Sequence, residues 1–235
     1  MRASSNEMYT SLGYLNNNPD WGISDSGWKA NDISTLLVNN QIEPGSITEI
    51  GCGAGSILKC LSEKYTSTVF KGYDISPHAI EKANAFKSER IYFFNSDFPE
   101  KTAAPADVVL VIDVLEHVDN FYDMLRHIKK LGKNFIFHIP LDLSCRMILK
   151  PHILLQQRKS VGHIHYFSKE MVEWMLEDTG YTMIDWFYTK PVVDENKAVS
   201  FKRKVKKFLR NTSFSMNKDL SAKLWGSYSM MILAT

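Results

Sequence analysis

The sequence is poor in cysteine. It has three, Cys52, Cys60 and Cys145, and no two form a C-x-x-C pair. That argues against a disulfide framework or a cysteine-based zinc site and fits a reducing compartment, so a cytoplasmic location is the expectation. No run of about 18 apolar residues occurs, so no membrane-spanning helix is expected. The leading residues, MRASSNEMYTSLGYL, lack the apolar stretch of a secretory signal. Charge of one sign is also missing. The 28 Lys and Arg against 26 Asp and Glu leave a net +2, which directs the chain as a whole toward no particular partner. Internal repeats and low-complexity tracts are absent. What remains is a 235-residue chain that is 44% apolar, ample for one large domain with a sizeable core.

The stretch Ile47 to Leu61, ITEIGCGAGSILKCL, organises the rest. A short apolar strand pattern runs into Gly51, Gly53 and Gly55, and apolar residues at helical spacing follow. A glycine turn lets a ligand approach the backbone closely, because no Cβ stands in the way. The unpaired N–H groups of the first helical turn then face that ligand. A dinucleotide site needs G-x-G-x-x-G/A. Here Ser56 occupies the third glycine's place, and the third glycine comes one residue early. Glu49 adds a negative charge at the strand end, which disfavours a pyrophosphate and suits a cationic ligand.

Further strands follow in order. Residues 68–73 read as a second strand ending at Asp74, with Ser76 and Pro77 opening a helix. Asp74 lies 19 residues after Gly55, near the spacing at which nucleotide-binding α/β units place a ribose-binding carboxylate. A third strand, residues 90–94, delivers Asp97 and Phe98 just beyond its carboxyl end. DVVLVI, residues 107–112, is the clearest buried strand and delivers Asp113. A helix capped by Asp119 or Asn120 runs to Gly132, and residues 134–139 form a fifth strand, followed by Pro140. Five βα units in a row imply a parallel sheet with helices on both faces, with ligands at the carboxyl ends of the strands.

EIGCGAG, GYDIS, NSDF and VIDVLEHV, in that order, resemble the successive motifs of class I S-adenosylmethionine-dependent methyltransferases of the UbiG-like, type 11/23 branch. The match covers residues 46–140, and GHIHYFSKEMVEWMLEDTGY is similar to the family's later stretch. The resemblance implies an α/β, Rossmann-like, seven-stranded and mostly parallel sheet, with helices on both faces and the last strand antiparallel between strands five and six. It implies S-adenosyl-L-methionine as cofactor. Gly51, Gly53 and Gly55 would cradle its amino-acid end, with the Cys52 backbone and Glu49. Asp74 would bind the ribose, Asp97 and Phe98 the adenine, Asp113 would lie beside the sulfonium, and Ile75 would be a further cofactor contact. Residues 1–45 would form an N-terminal helical cap. Residues 46–235 would form the methyltransferase domain, with acceptor-side insertions at about 141–165 and 192–222.

The expected reaction is methyl transfer to a hydroxyl of a small molecule, sugar or lipid-linked acceptor, with nucleic acid disfavoured. The rivals are a noncatalytic cofactor-binding module and a protein or RNA methyltransferase. A base near neutral pKa suits a hydroxyl acceptor. His163 and His165, two apart in what should be extended chain, are expected to point the same way toward the acceptor rim. His117, after strand four, is the third candidate, while His138 reads as structural. The histidines and cysteines show no closed ligand spacing, so no metal is expected. Lys197 to Arg210 holds seven basic residues and no acidic one, with Phe201, Val205, Phe208 and Leu209 on one helical face. That segment either packs on the domain or touches an anionic membrane surface.

Overall fold

The computed structural model describes residues 23–100, 104–189 and 201–235, apart from the side chains of residues 201–204, 206 and 207. The expected turn at Asn16–Asp20, the aromatics Tyr9, Tyr14 and Trp21, and Lys197 lie outside the described residues.

In chain order, helix α1 (Ile23–Asn39) precedes strand β1 (Ser46–Ile50), helix α2 (Ser56–Lys64) and strand β2 (Val69–Asp74). Helix α3 (Pro77–Ala83) and strands β3 (Ile91–Asn95) and β4 (Ala106–Ile112) follow. A 3₁₀ turn, Leu115–His117, leads to α4 (Phe121–Ile128) and β5 (Gly132–Leu141). Then come α5 (Cys145–Leu149), α6 (Pro151–Ser160), α7 (Lys169–Asp178) and β6 (Met183–Thr189). The chain closes with α8 (Phe201–Met216), α9 (Lys218–Trp225) and β7 (Tyr228–Ala234).

Among the described residues one seven-stranded sheet runs β3-β2-β1-β4-β5-β7-β6. Strands one to five are mutually parallel, and β7 pairs antiparallel with both β5 and β6. The order reverses between β1 and β4, the switch point at which such sheets open a crevice beyond their carboxyl ends.

Strand β4 shows how the sequence builds two cores. Successive side chains of a strand face opposite ways. Val108, Leu110 and Ile112 therefore pack with α1, α2 and α3 through Ile33, Leu37, Leu58 and Ile80. Val109 and Val111 pack on the other face with Leu125 of α4 and Val172, Met175 and Leu176 of α7. The helix starts are capped as the sequence indicates: Asn120 accepts from the Asp123 N–H, Ser168 from Met171, and Ser76 from Ala79.

One local reading is corrected, the end of β5, and two helical segments take definite bounds. Helix α1 begins at Ile23 and includes Trp28 and Lys29. Its Ala30, Ile33, Leu36 and Leu37 are fully buried against the sheet, and this packing outweighs the poor helix propensity of Ser24–Gly27. Strand β5 continues through Pro140 to Leu141. Its ladder with β4 ends at His138, so the missing Pro140 N–H removes no bond from that side. Residues 145–160 form two helices, α5 and α6, split at Pro151, which occupies the first turn of the second.

Candidate functional site

The carboxyl ends of β1, β2, β4 and β5 open into one cavity of about 800 Å³. The glycine turn forms its floor. Gly51, Gly53 and Gly55 all have positive φ, at 73°, 52° and 75°. A Cβ on Gly51 would come within 2.5 Å of Val114, and one on Gly55 within 2.5 Å of the Phe93 ring. Both conformation and space therefore require glycine at these two positions. Gly51, Cys52 and Gly53 line the cavity; Gly55 lies behind them, its N–H on the Cys52 carbonyl.

Asp74 is held by two backbone donors, Gly53 N–H to Oδ2 at 2.9 Å and Ser76 N–H to Oδ1 at 2.8 Å. Each oxygen keeps a second lone pair for another donor. Burial nevertheless raises its pKa. Ile75, Asp97 and Phe98 line the same end of the cavity. Phe98 is braced by the His127 ring at 4.3 Å, and its N–H meets Asp97 Oδ1. Glu49 is 1% exposed, and its Oε2 has no hydrogen-bond partner among the described residues. Burial pushes its pKa well above the ordinary glutamate value, Lys29 offsets part of that, and Asp74 adds to it. Ser56 Oγ and Trp28 Nε1, also at the cavity, are likewise buried without a partner among the described residues.

Asp113 sits at φ 53°, a conformation that Asp tolerates better than most residues. It joins elements distant in sequence. Lys29 Nζ of α1 meets Oδ2 at 2.7 Å, and His138 Nδ1 of β5 meets Oδ1. His138 Nε2 in turn meets Thr189 Oγ1 at 2.9 Å, and the Trp28 ring stands edge-on to the imidazole. Burial alone would raise the Asp113 carboxyl. The charges of His138 and Lys29 and their hydrogen bonds outweigh it and hold the pKa below the usual carboxylate range. Burial likewise lowers Lys29, and Asp113 more than compensates.

The far wall is built from the 3₁₀ turn after β4 and the segment before α7. The Glu116 carbonyl accepts both the Ile164 N–H, at 2.8 Å, and the His165 N–H, at 3.1 Å. Successive N–H groups of an extended strand point to opposite sides. Two in a row on one carbonyl require a turned backbone, so the expectation that His163 and His165 point the same way is corrected. His163 lines the cavity, with Nδ1 at 2.8 Å from Asp142 Oδ2. His165 is not among the lining residues. Its Nε2–H donates to the Val118 carbonyl and its ring stands edge-on to Phe121. His117 lines the cavity with its ring 4.9 Å from that of His163. Burial first, then the neighbouring His163, lowers the His117 pKa to about 4. Glu116 is 1% exposed and reaches the same cavity.

Sequence reading therefore missed Lys29, Glu116, Asp142 and Thr189 at the cavity and its hydrogen-bonded wall, and gave His138 a structural role alone. One signal was available. Lys29, Ile33 and Leu37 repeat every four residues, so the lysine lies on the buried face of its helix, an environment it occupies only when paired.

A glycine cradle at the switch point, a carboxylate after β2 and a cavity reaching past β4 define a Rossmann-like site for a nucleoside-bearing cofactor. The family model of the methyltransferase domain matches residues 29–185. The chain belongs to that family, the class I S-adenosyl-L-methionine-dependent methyltransferases, and S-adenosyl-L-methionine is its cofactor. It is 25% identical over 145 residues to malonyl-[acyl-carrier protein] O-methyltransferase of Neorickettsia risticii (strain Illinois), covering 61% of this chain and 56% of that protein. It is 26% identical over 182 residues to the tRNA N(3)-cytidine methyltransferase METTL6 of Homo sapiens, covering 68% and 63%. The chain thus spans less than two thirds of either relative. The crystal structure of magnesium protoporphyrin IX methyltransferase (ChlM) from Synechocystis PCC 6803, with bound SAH, shares the fold. Its TM-score is 0.63 at 16% identity, covering 97% of this chain and 96% of that one. No described helix is long and apolar enough to cross a membrane.

Proposed function

We propose that the protein transfers the methyl group of S-adenosyl-L-methionine to a hydroxyl of a small molecule, sugar or lipid-linked acceptor. One observation carries the reading: the cavity that starts at the glycine cradle ends at an imidazole, His163, whose other nitrogen is held by a carboxylate, Asp142.

The residues fit the cofactor. Glu49 Oε2, buried without a partner among the described residues, suits a cationic amino group. The glycine backbone leaves room that a Cβ would fill. Asp74 would hold the ribose hydroxyls, Ile75, Asp97 and Phe98 the adenine end, and Asp113 the region of the sulfonium. When bound, S-adenosyl-L-methionine supplies a methyl carbon open to in-line attack. The chain's task is to orient the acceptor, exclude water and take a proton. With Nδ1 of His163 donating to Asp142, Nε2 is the atom that receives the acceptor's proton while the oxygen gains the methyl carbon. His117, weakly basic at its lowered pKa, is a poorer proton acceptor at neutral pH. His165 would support the wall from behind.

The human relative is a tRNA methyltransferase, so tRNA belongs beside the small molecules in the test. Purified protein with S-adenosyl-L-methionine is offered sugars, phenols, polyprenyl-linked intermediates and tRNA, and SAH release and product mass are followed. O-methylation of a small acceptor is expected. Methylation of tRNA alone, or SAH binding with no turnover on any acceptor, would overturn the reading.

A further inference from the structure

Glu116, His117 and His163 stand out in the wall that the acceptor meets. One ligand-type atom from each lies within 4.8 Å of the others. Two observations separate this group from a chance meeting. Both carboxylate oxygens of Glu116 are buried, and neither finds a hydrogen-bonding partner on any other described residue. A buried carboxylate facing a cavity in that state is costly, and a bound cation relieves the cost. The two histidines are also held from behind. His163 Nδ1 is engaged by Asp142, which is itself fixed by Gln157 Nε2 at 3.0 Å. One ring N–H of His117 is engaged by the Gly162 carbonyl. Ligating histidines are oriented in this way, with the second nitrogen bonded to a carboxylate or a backbone carbonyl.

We infer that Glu116, His117 and His163 form a binding site for a divalent first-row transition-metal ion, open toward the cavity. Two imidazoles and a carboxylate suit Mn²⁺ through Zn²⁺ better than Mg²⁺ or Ca²⁺, which favour all-oxygen sets. In a loaded site with bonds of about 2.0–2.2 Å, neighbouring ligand atoms sit roughly 3–3.5 Å apart, so closure asks for about 1 Å of side-chain movement. Three protein ligands leave coordination positions open, which favours an acceptor presenting two adjacent oxygens. The cation would acidify the acceptor hydroxyl directly. His163 would then be a ligand rather than the free base, with Asp142 as its positioning residue in either case. The inference rests on the methyl-transfer reading only for the statement that the acceptor oxygen meets this wall.

The test is Mn²⁺ binding read by electron paramagnetic resonance, on chelator-stripped protein with and without SAH. Retention of one equivalent is expected. Glu116→Gln and His163→Ala should each weaken it about 100-fold or more, and Asp142→Asn about 10- to 100-fold, the range for outer-shell partners. His152→Ala, at an exposed histidine, should change nothing. Unchanged SAH affinity in Glu116→Gln shows that the variant is folded. Absence of Mn²⁺ binding by the wild-type protein, or equal binding by Glu116→Gln and His163→Ala, overturns the cation site and leaves methyl transfer standing. Failure to bind SAH overturns methyl transfer, and the ligand-free titration still reads the cation site.

Discussion

Glu49→Gln is expected to stabilise the free protein and to weaken cofactor binding. The wild-type carboxylate is 1% exposed, and one oxygen has no partner among the described residues. Leaving a buried polar group unpaired costs about 1–3 kcal/mol, and more when it is charged. The amide keeps the shape and part of the polar cost, so the gain is about 1–2 kcal/mol. For a chain of this size that raises the Tm of the ligand-free protein by about 2–8 °C at pH 7. The direction with pH follows from the raised pKa. Below the ordinary glutamate value both folded and unfolded states are protonated, and the penalty is absent. It grows as pH rises above that value and is complete once pH passes the raised folded value. Variant and wild type should therefore converge near about pH 4 and separate with rising pH. In the complex the order reverses. A hydrogen bond to a charged group contributes about 1.5–3 kcal/mol, so SAH binding should weaken about 10- to 150-fold. Thermal unfolding across pH and calorimetry with SAH read both halves. A ligand-free variant less stable than wild type at pH 7, or one that binds SAH unchanged, refutes the reasoning.

Gly55→Ala combines left-handed backbone, at about 1–2 kcal/mol, with a Cβ inside the Phe93 ring contact, at about 1–3 kcal/mol. Thermal unfolding should show a Tm lower by about 4–20 °C, and a wild-type Tm would contradict the cradle geometry. Asp113→Asn leaves Lys29 without its close counter-charge; because Asp113 keeps 29% of its side chain open, a loss near the lower end, about 3 kcal/mol, is expected at pH 7. Asp113 has a lowered pKa, so its stabilisation is present above the ordinary aspartate value and is lost as pH falls toward the folded one. The gap between variant and wild type in denaturant titrations should shrink as pH drops below that ordinary value, and a gap independent of pH would contradict the assignment. On α8, Val205, Phe208 and Leu209 are 41%, 68% and 49% exposed in a basic segment. Liposome flotation at low salt is expected to recover the protein with anionic vesicles and not with neutral ones, and equal recovery refutes a membrane contact.

The sequence by itself determined the strands, the glycine turn and the helix starts, because each rests on neighbours in the chain. Gly51 and Gly55 follow from backbone conformation, β4 from its nearly continuous apolar run, and the start of α7 from the Ser168 hydroxyl on the Met171 N–H. Such terms act within a few residues and leave a local pattern. The tertiary structure decided which side chains share the cavity. Lys29 meets Asp113, and Asp113 meets His138, only because α1 lies against the sheet and β5 lies beside β4. His163 meets His117 only because the Glu116 carbonyl gathers two consecutive N–H groups and turns the chain where spacing alone implied an extended strand. These contacts couple residues tens of positions apart and have no period. Their cause is the desolvation of polar groups in a shared cavity, which depends on what the fold brings near and not on what the sequence places next to it.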